Sequence, residues 1–264
     1  MNPKNKIPRA IIWTIFFGAF PLLVTAQNTS YTQFWNEVDL VRAFSDKWAA
    51  EIDLTGSFSN TPEENNVLKT VIQRSAVGWA HFFPAPRWKV SSFIGFYYNK
   101  DVPDIGQYEA PEWRFAVQGT YYFHKVRYSL NTDGRFEVRL IRNEEGVYED
   151  VYRYRQKLRF RLPLNSHVFR KGVVYILAAD EIVLRSVAKD EGLKYFDCNL
   201  FSAGAGYLFT DDLQLEILYV NVFIPRDDHN EIDNAISAVL TVNNLISKIG
   251  KLFAGKPEEP APDE

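Results

Sequence analysis

The chain has 264 residues, 46% hydrophobic and 15% aromatic, with 30 Lys+Arg against 33 Asp+Glu, a net charge of -3 and one cysteine. That length suits one large domain or two small ones and can enclose a sizeable interior, while the acidic balance gives a nucleic-acid partner no global electrostatic support. The lone Cys198 excludes an internal disulfide, and no Cys/His spacing reads as a metal or cofactor site.

The N-terminus carries an export pattern. Lys4, Lys6 and Arg9 form a positive region, residues 10–24 are apolar, and Val24-Thr25-Ala26 precedes Gln27 as a small-residue cleavage site. A signal peptide is therefore expected over residues 1–26. Its removal leaves 27 Lys+Arg against 33 Asp+Glu, a net of -6. No later stretch approaches the ~18 apolar residues of a helical span. An exported chain without disulfides points to a bacterial envelope.

From Tyr31 to Asn243 the sequence alternates with period two, which places successive side chains on opposite faces of strands. Trp35, Glu37 and Asp39 alternate with Phe34, Val38 and Leu40; Glu51, Asp53, Thr55 and Ser57 alternate with Ile52, Leu54 and Phe58. Residues 67–83 are apolar and end at Phe83-Pro84-Ala85-Pro86, where two prolines predict a turn. Residues 88–99 are aromatic-rich. In 112–123, Glu112, Arg114, Gln118 and Thr120 oppose Trp113, Phe115, Val117, Tyr121 and Phe123. In 126–141, Arg127, Asp133, Arg135, Glu137 and Arg139 oppose Tyr128, Leu130, Phe136, Val138 and Leu140.

Residues 152–162 carry the strongest pattern. Arg153, Arg155, Lys157, Arg159 and Arg161 fall on one face, and Tyr152, Tyr154, Gln156, Leu158, Phe160 and Leu162 on the other. Five cations on one face would be costly over an apolar core; they fit water or an interior lined with acids. Residues 173–185, 196–209, 213–224 and 235–243 complete the series.

Each run is about ten residues or more, the length of a membrane-crossing strand. The expected fold is all-β, a transmembrane antiparallel up-and-down β-barrel over residues 27–243. Eleven segments are counted. Bacterial barrels normally have even numbers, so about twelve strands are expected, with ten as the alternative and the missing strand near the N-terminus or inside 67–83. Connections alternate between short and long polar ones, and aromatics cluster near segment ends, as in interfacial girdles. A soluble periplasmic β-barrel binding an apolar ligand is the alternative. Residues 244–264 are expected to form a short amphipathic helix and an acidic disordered tail.

With apolar faces outward, the interior receives an even balance of acids and bases, as confinement requires. The expected lumen network comprises Glu112, Arg114, Arg135, Glu137, Arg139, Arg153, Arg155, Lys157, Arg159, Arg161, Glu181 and Glu216. The bases concentrate on three consecutive segments and the acids on the first two and the later ones. Such walls either meet in a filled structural barrel or leave a gap whose transverse field orients small charged or zwitterionic solutes. Catalysis is not expected: none of His81, His124, His167 and His229 has a Ser two residues on, the spacing that shares a strand face. Gly204-Ala205-Gly206 lies mid-strand with no following helix and marks close packing or a bend.

The runs Glu112-Trp113-Arg114, Arg135-Phe136-Glu137-Val138-Arg139 and Tyr152-Arg153-Tyr154-Arg155 resemble a bacterial outer-membrane-like β-barrel family, domain of unknown function 2490. Asp180-Glu181, Phe196-Asp197-Cys198-Asn199, Gly204-Ala205-Gly206-Tyr207 and Leu215-Glu216-Ile217-Leu218-Tyr219 extend the likeness over most of the chain. The chain departs at Leu200, where an Arg is expected, and in its tail beyond Asn243. The resemblance implies a place and a fold, an outer-membrane barrel in contact with lipid, and not an activity. The charged faces set the expected role: a structural barrel or a narrow porin-like passage for small polar solutes.

Overall fold

A computed structural model describes residues 28–124, 127–186, 195–226 and 230–244. Residues 1–27, where a signal peptide is expected, His229 and the segment from 245 onward lie outside these residues. The chain forms eleven strands: β1 (Asn28–Ala43), β2 (Trp48–Ser59), β3 (Thr70–Ala85), β4 (Trp88–Asn99), β5 (Ala110–His124), β6 (Ser129–Arg142), β7 (Tyr148–Pro163), β8 (Val174–Arg185), β9 (Phe196–Leu208), β10 (Leu213–Pro225) and β11 (Asn230–Asn243). Each pairs with its sequence neighbours, and β1 closes on β11 to complete the barrel.

The strand number corrects the expectation of twelve or ten. No strand hides in 67–83, because β3 is one continuous 16-residue strand. In an up-and-down sheet with an odd count the first and last strands point the same way, so closure must be parallel. The β1–β11 seam is parallel, running from Asn28↔Asn230 to Val41↔Asn243. Its bonds are slanted but complete, so the sheet has no free edge. Asn244, at φ 57°, donates its N–H to Val41 O at 2.7 Å and ties off the seam.

Two details differ from the sequence pattern for local reasons. β3 runs through Pro84 to Ala85, and the turn falls at 86–87; a register shift between Phe82 and Ala85 accommodates the proline, which has no N–H to give. The β6–β7 connection is short, because Ile141↔Glu149 and Arg142↔Tyr148 extend the hairpin, while the β7–β8 connection, residues 164–173, is longer. Loop length therefore alternates less regularly than the sequence suggests. The ends of the barrel remain distinguishable: 44–47, 86–87, 164–173 and 209–212 lie at one, called the turn end, and 60–69, 100–109 and 143–147 at the other, the loop end.

The outward face is apolar. Ile52, Leu54, Ile94, Val117, Ile182 and Ile236 are all exposed. Aromatics flank this belt. Near the turn end Trp48 packs on Phe82 at 4.7 Å and Trp88 on Tyr121 at 4.9 Å; near the loop end Phe96 packs on Trp113 at 5.1 Å, and mid-strand Phe136 packs on Tyr154 at 4.9 Å. Trp79 and Tyr97 are not part of these rims. Trp79 turns inward and donates Nε1–H to Asp53 Oδ2 at 2.6 Å, and Tyr97 lies under the Arg114 guanidinium at 3.7 Å. Outward polar groups satisfy one another: Gln156 donates to Thr132 Oγ1 at 2.6 Å, and Asn199 to Asp180 Oδ1 at 2.9 Å.

The interior has an apolar sector. Tyr175, Leu177, Leu218, Val220, Val222 and Ala235 on β8, β10 and β11 form one buried cluster. Tyr175 is fully buried because its partner across the ladder is Gly206, where a Cβ would fall 2.2 Å from the ring. At Gly204 a Cβ would fall 2.1 Å from Ile217 O. The glycines between Phe201 and Tyr207 thus mark close packing.

Candidate functional site: the charged lumen

The period-two pattern sends the charged residues of β5–β8 inward, and the ladder register decides which of them meet. At the loop end Glu112, 0% exposed, accepts from Arg114 Nε at 2.6 Å and Nη2 at 3.1 Å. It also accepts from Arg139 Nε and, at 2.7 Å, from Arg139 Nη2. Arg114 and Arg139 are register partners, so one carboxylate neutralises two facing guanidiniums. Such bidentate, charge-assisted bonds are the strong kind.

A second group lies deeper. Arg155 Nε donates to Glu181 Oε1 at 2.6 Å; Lys157 Nζ and Arg135 Nη2 stand 3.6 and 3.7 Å from the same carboxylate. Glu137 lies 3.8 Å from Arg135 and 3.9 Å from Arg155. Arg153 pairs with Asp197 at 2.7 Å, with Arg185 at 3.7 Å from the same acid. Glu216 accepts from Tyr175 Oη at 2.7 Å and Gln214 Nε2 at 3.2 Å, with Arg161 at 3.9 Å. Arg159 has no carboxylate within 4 Å among the described residues. Arg127, assigned inward by the pattern, is exposed and precedes β6.

The loop-end half of the lumen holds the Glu112–Arg114–Arg139 and Arg153–Asp197 groups, Tyr97 and the buried Val77–Phe93–Ala116 cluster, and Arg135, Arg155, Lys157 and Glu181 stand at its boundary with the cavity. The turn-end half contains a cavity of about 620 Å³. Its lining includes Glu37, Asp39, Glu51 and Asp53 on β1–β2, and Arg155, Lys157, Arg159 and Arg161 on β7. Leu177, Leu200, Leu218 and Val220 form an apolar wall between them.

The acids of β1–β2 are differently partnered from those of the lattice. Thr241 Oγ1 donates to Asp39 Oδ2 at 3.0 Å, but Asp39 Oδ1 and Asp53 Oδ1 are buried with no donor. On the far wall Arg159 Nε and Arg161 Nε are buried with no acceptor. A buried polar atom left unpaired costs about 1–3 kcal/mol; Arg135 Nε on the cavity lining, and Glu137 Oε1, Arg153 Nε, Asp197 Oδ2 and Asp233 Oδ1 elsewhere, lack hydrogen-bond partners as well.

Sequence spacing missed one constellation. His81 Nδ1 is 2.8 Å from Ser91 Oγ and Nε2 is 3.0 Å from Glu51 Oε2. His81, Ser91 and Glu51 lie on β3, β4 and β2, and His81 and Ser91 are register partners, so the contact crosses strands and no two-residue spacing reveals it. Its only signal in the sequence is the hairpin register centred on 86–87. Ser91 is 1% exposed and takes no part in the cavity lining. An acyl group in the cavity therefore meets His81 and Glu51 but not the hydroxyl.

No helix of the described residues is long and apolar enough to cross a membrane, which leaves strand crossing open. No curated protein matches the chain significantly. The family described as "Protein of unknown function (DUF2490)" matches residues 32–233, and the chain belongs to that family.

Proposed function

We propose that this protein is an outer-membrane β-barrel of the bacterial envelope whose lumen receives small polar solutes at its turn end. The observation that carries this is the radial inversion of polarity. The closed sheet exposes Ile52, Ile94, Val117 and Ile182 outward and keeps Glu112, Glu137 and Glu181 inside. In water that arrangement exposes a large continuous apolar surface, which soluble monomers avoid; in a bilayer it satisfies every backbone group and solvates both faces. The packed aromatics near each end of the belt sit where an interface would hold them.

The ion-pair lattice across the loop-end half supports a filled, narrow barrel over an open pore. The cavity supports solute access from one end. A transport role without bond-breaking chemistry fits the burial of Ser91, because acyl transfer needs a reachable nucleophile.

Fractionation tests the placement: the native protein should sediment with the outer membrane and need detergent for extraction. Recovery in the soluble periplasmic fraction would refute the proposal and favour a soluble ligand-binding barrel. Planar-bilayer recordings test the lumen, with conductance expected to be too small to resolve in the native protein. Large, stable conductance steps would show that the lattice does not close the passage.

A further inference from the structure

The turn-end cavity presents unsatisfied acceptors on one wall and unsatisfied donors on the other. Asp39 and Asp53, each 8% exposed, carry Oδ1 atoms that no donor reaches. Together with Glu37 they offer carboxylate oxygens within 4.8 Å of one another. Among the described residues no Lys or Arg nitrogen lies within 4 Å of these three acids, and Glu51 beside them is paired to His81. Across the lumen, Arg159 Nε and Arg161 Nε lack acceptors, and the carboxylate nearest Arg161 is 3.9 Å away. In the strand order four strands separate β2 from β7 one way, and four separate β1 from β7 the other way. The two walls therefore face each other.

We propose that this cavity binds a short zwitterionic peptide, its ammonium on Asp39 and Asp53 and its carboxylate on Arg159 and Arg161. An ammonium brings three donors and no acceptor; an ionised carboxylate is acceptor-only. One molecule carrying both satisfies both walls. A metal cation would satisfy the acids and leave the guanidiniums, and a simple anion would do the reverse. The apolar wall of Leu177, Leu200, Leu218 and Val220 gives the body of the peptide a dry surface. About 620 Å³ falls within the roughly 300–1,000 Å³ of ligand pockets. The inference rests on the lumen being solute-accessible.

The test uses the full mature chain, folded in detergent, titrated with tri-L-alanine and followed by calorimetry and by tryptophan fluorescence, since Trp35 and Trp79 line the cavity. N-acetyl-trialanine, trialanine amide and calcium chloride are titrated in parallel. The free peptide should saturate the protein, and blocking either end should weaken binding at least about tenfold. Asp53→Asn should remove most of the penalty for N-acetylation, and Arg159→Gln most of the penalty for amidation. Heat-modifiable gel migration confirms that both variants are folded. Equal binding of blocked and free peptides, no saturable binding, or saturation by calcium alone would each overturn the proposal. A protein that needs detergent and sediments with the outer membrane yet ignores the peptide loses only this pocket assignment; one recovered without detergent loses the membrane placement.

Discussion

Glu112 offers the most demanding test of the lattice. It is fully buried and neutralises Arg114 and Arg139, whose side chains are 11% and 13% exposed. Glu112→Ala leaves two guanidiniums on adjacent strands, in register, without their counter-charge. Removing one partner of a buried ion pair costs about 3–5 kcal/mol, and the contact of Arg114 with Tyr97, already present in the native protein, does not offset it. A loss of about 3 kcal/mol lowers the folding equilibrium constant by roughly two orders of magnitude. Replacing all three by apolar groups, Glu112→Leu with Arg114→Met and Arg139→Met, leaves no orphaned charge and should recover to within about 1–2 kcal/mol of the native protein. The assay is urea unfolding in detergent micelles followed by tryptophan fluorescence, with equal slopes required across variants. A loss under about 1 kcal/mol for Glu112→Ala, or a triple variant no more stable than the single, would show that the lattice is not the close-packed unit described.

Four further outcomes follow from the same geometry. Arg155→Glu places a third carboxylate beside Glu137 and Glu181 and should cost about 3 kcal/mol or more, whereas Arg159→Glu should cost less than about 1 kcal/mol; equal losses in urea unfolding would refute the ladder register. Gly204→Ala forces backbone apart at Ile217 and should destabilise by about 1–3 kcal/mol, visible as reduced heat-modifiable migration; a native-like gel shift would contradict the close approach. A fluorophosphonate probe should leave the native protein unlabelled, because Ser91 is 1% exposed; labelling that disappears in Ser91→Ala would establish a reachable nucleophile. Cysteines at Phe34 and Ile236, partners across the seam, should cross-link through a short bis-maleimide in the folded state and not after denaturation. Failure to cross-link would argue for a different closure.

The sequence by itself determined the approximate strand segments, the face most of their residues occupy and the sign of the charge on each wall, because period two is a local property of an extended backbone; it misplaced Arg127, which is exposed and precedes β6, and the turn after β3, which falls at 86–87. Segment 88–99 coincides with β4 (Trp88–Asn99), and the alternation in 152–162 put Arg153 to Arg161 on one face before any partner was known. It also yielded a count of eleven segments, which the expectation of even-numbered barrels displaced. Only the tertiary structure decided closure. A parallel β1–β11 seam joins residues some 200 positions apart, and nothing in the local pattern of either strand specifies its partner. It likewise decided which charges meet: Glu112 was legible as an inward acid, but its bonds to Arg139 depend on a ladder register set by the whole sheet. The same holds for Ser91, His81 and Glu51, and for Asp39 beside Asp53. Local alternation chooses a face; which side chains touch on that face is a property of the closed barrel.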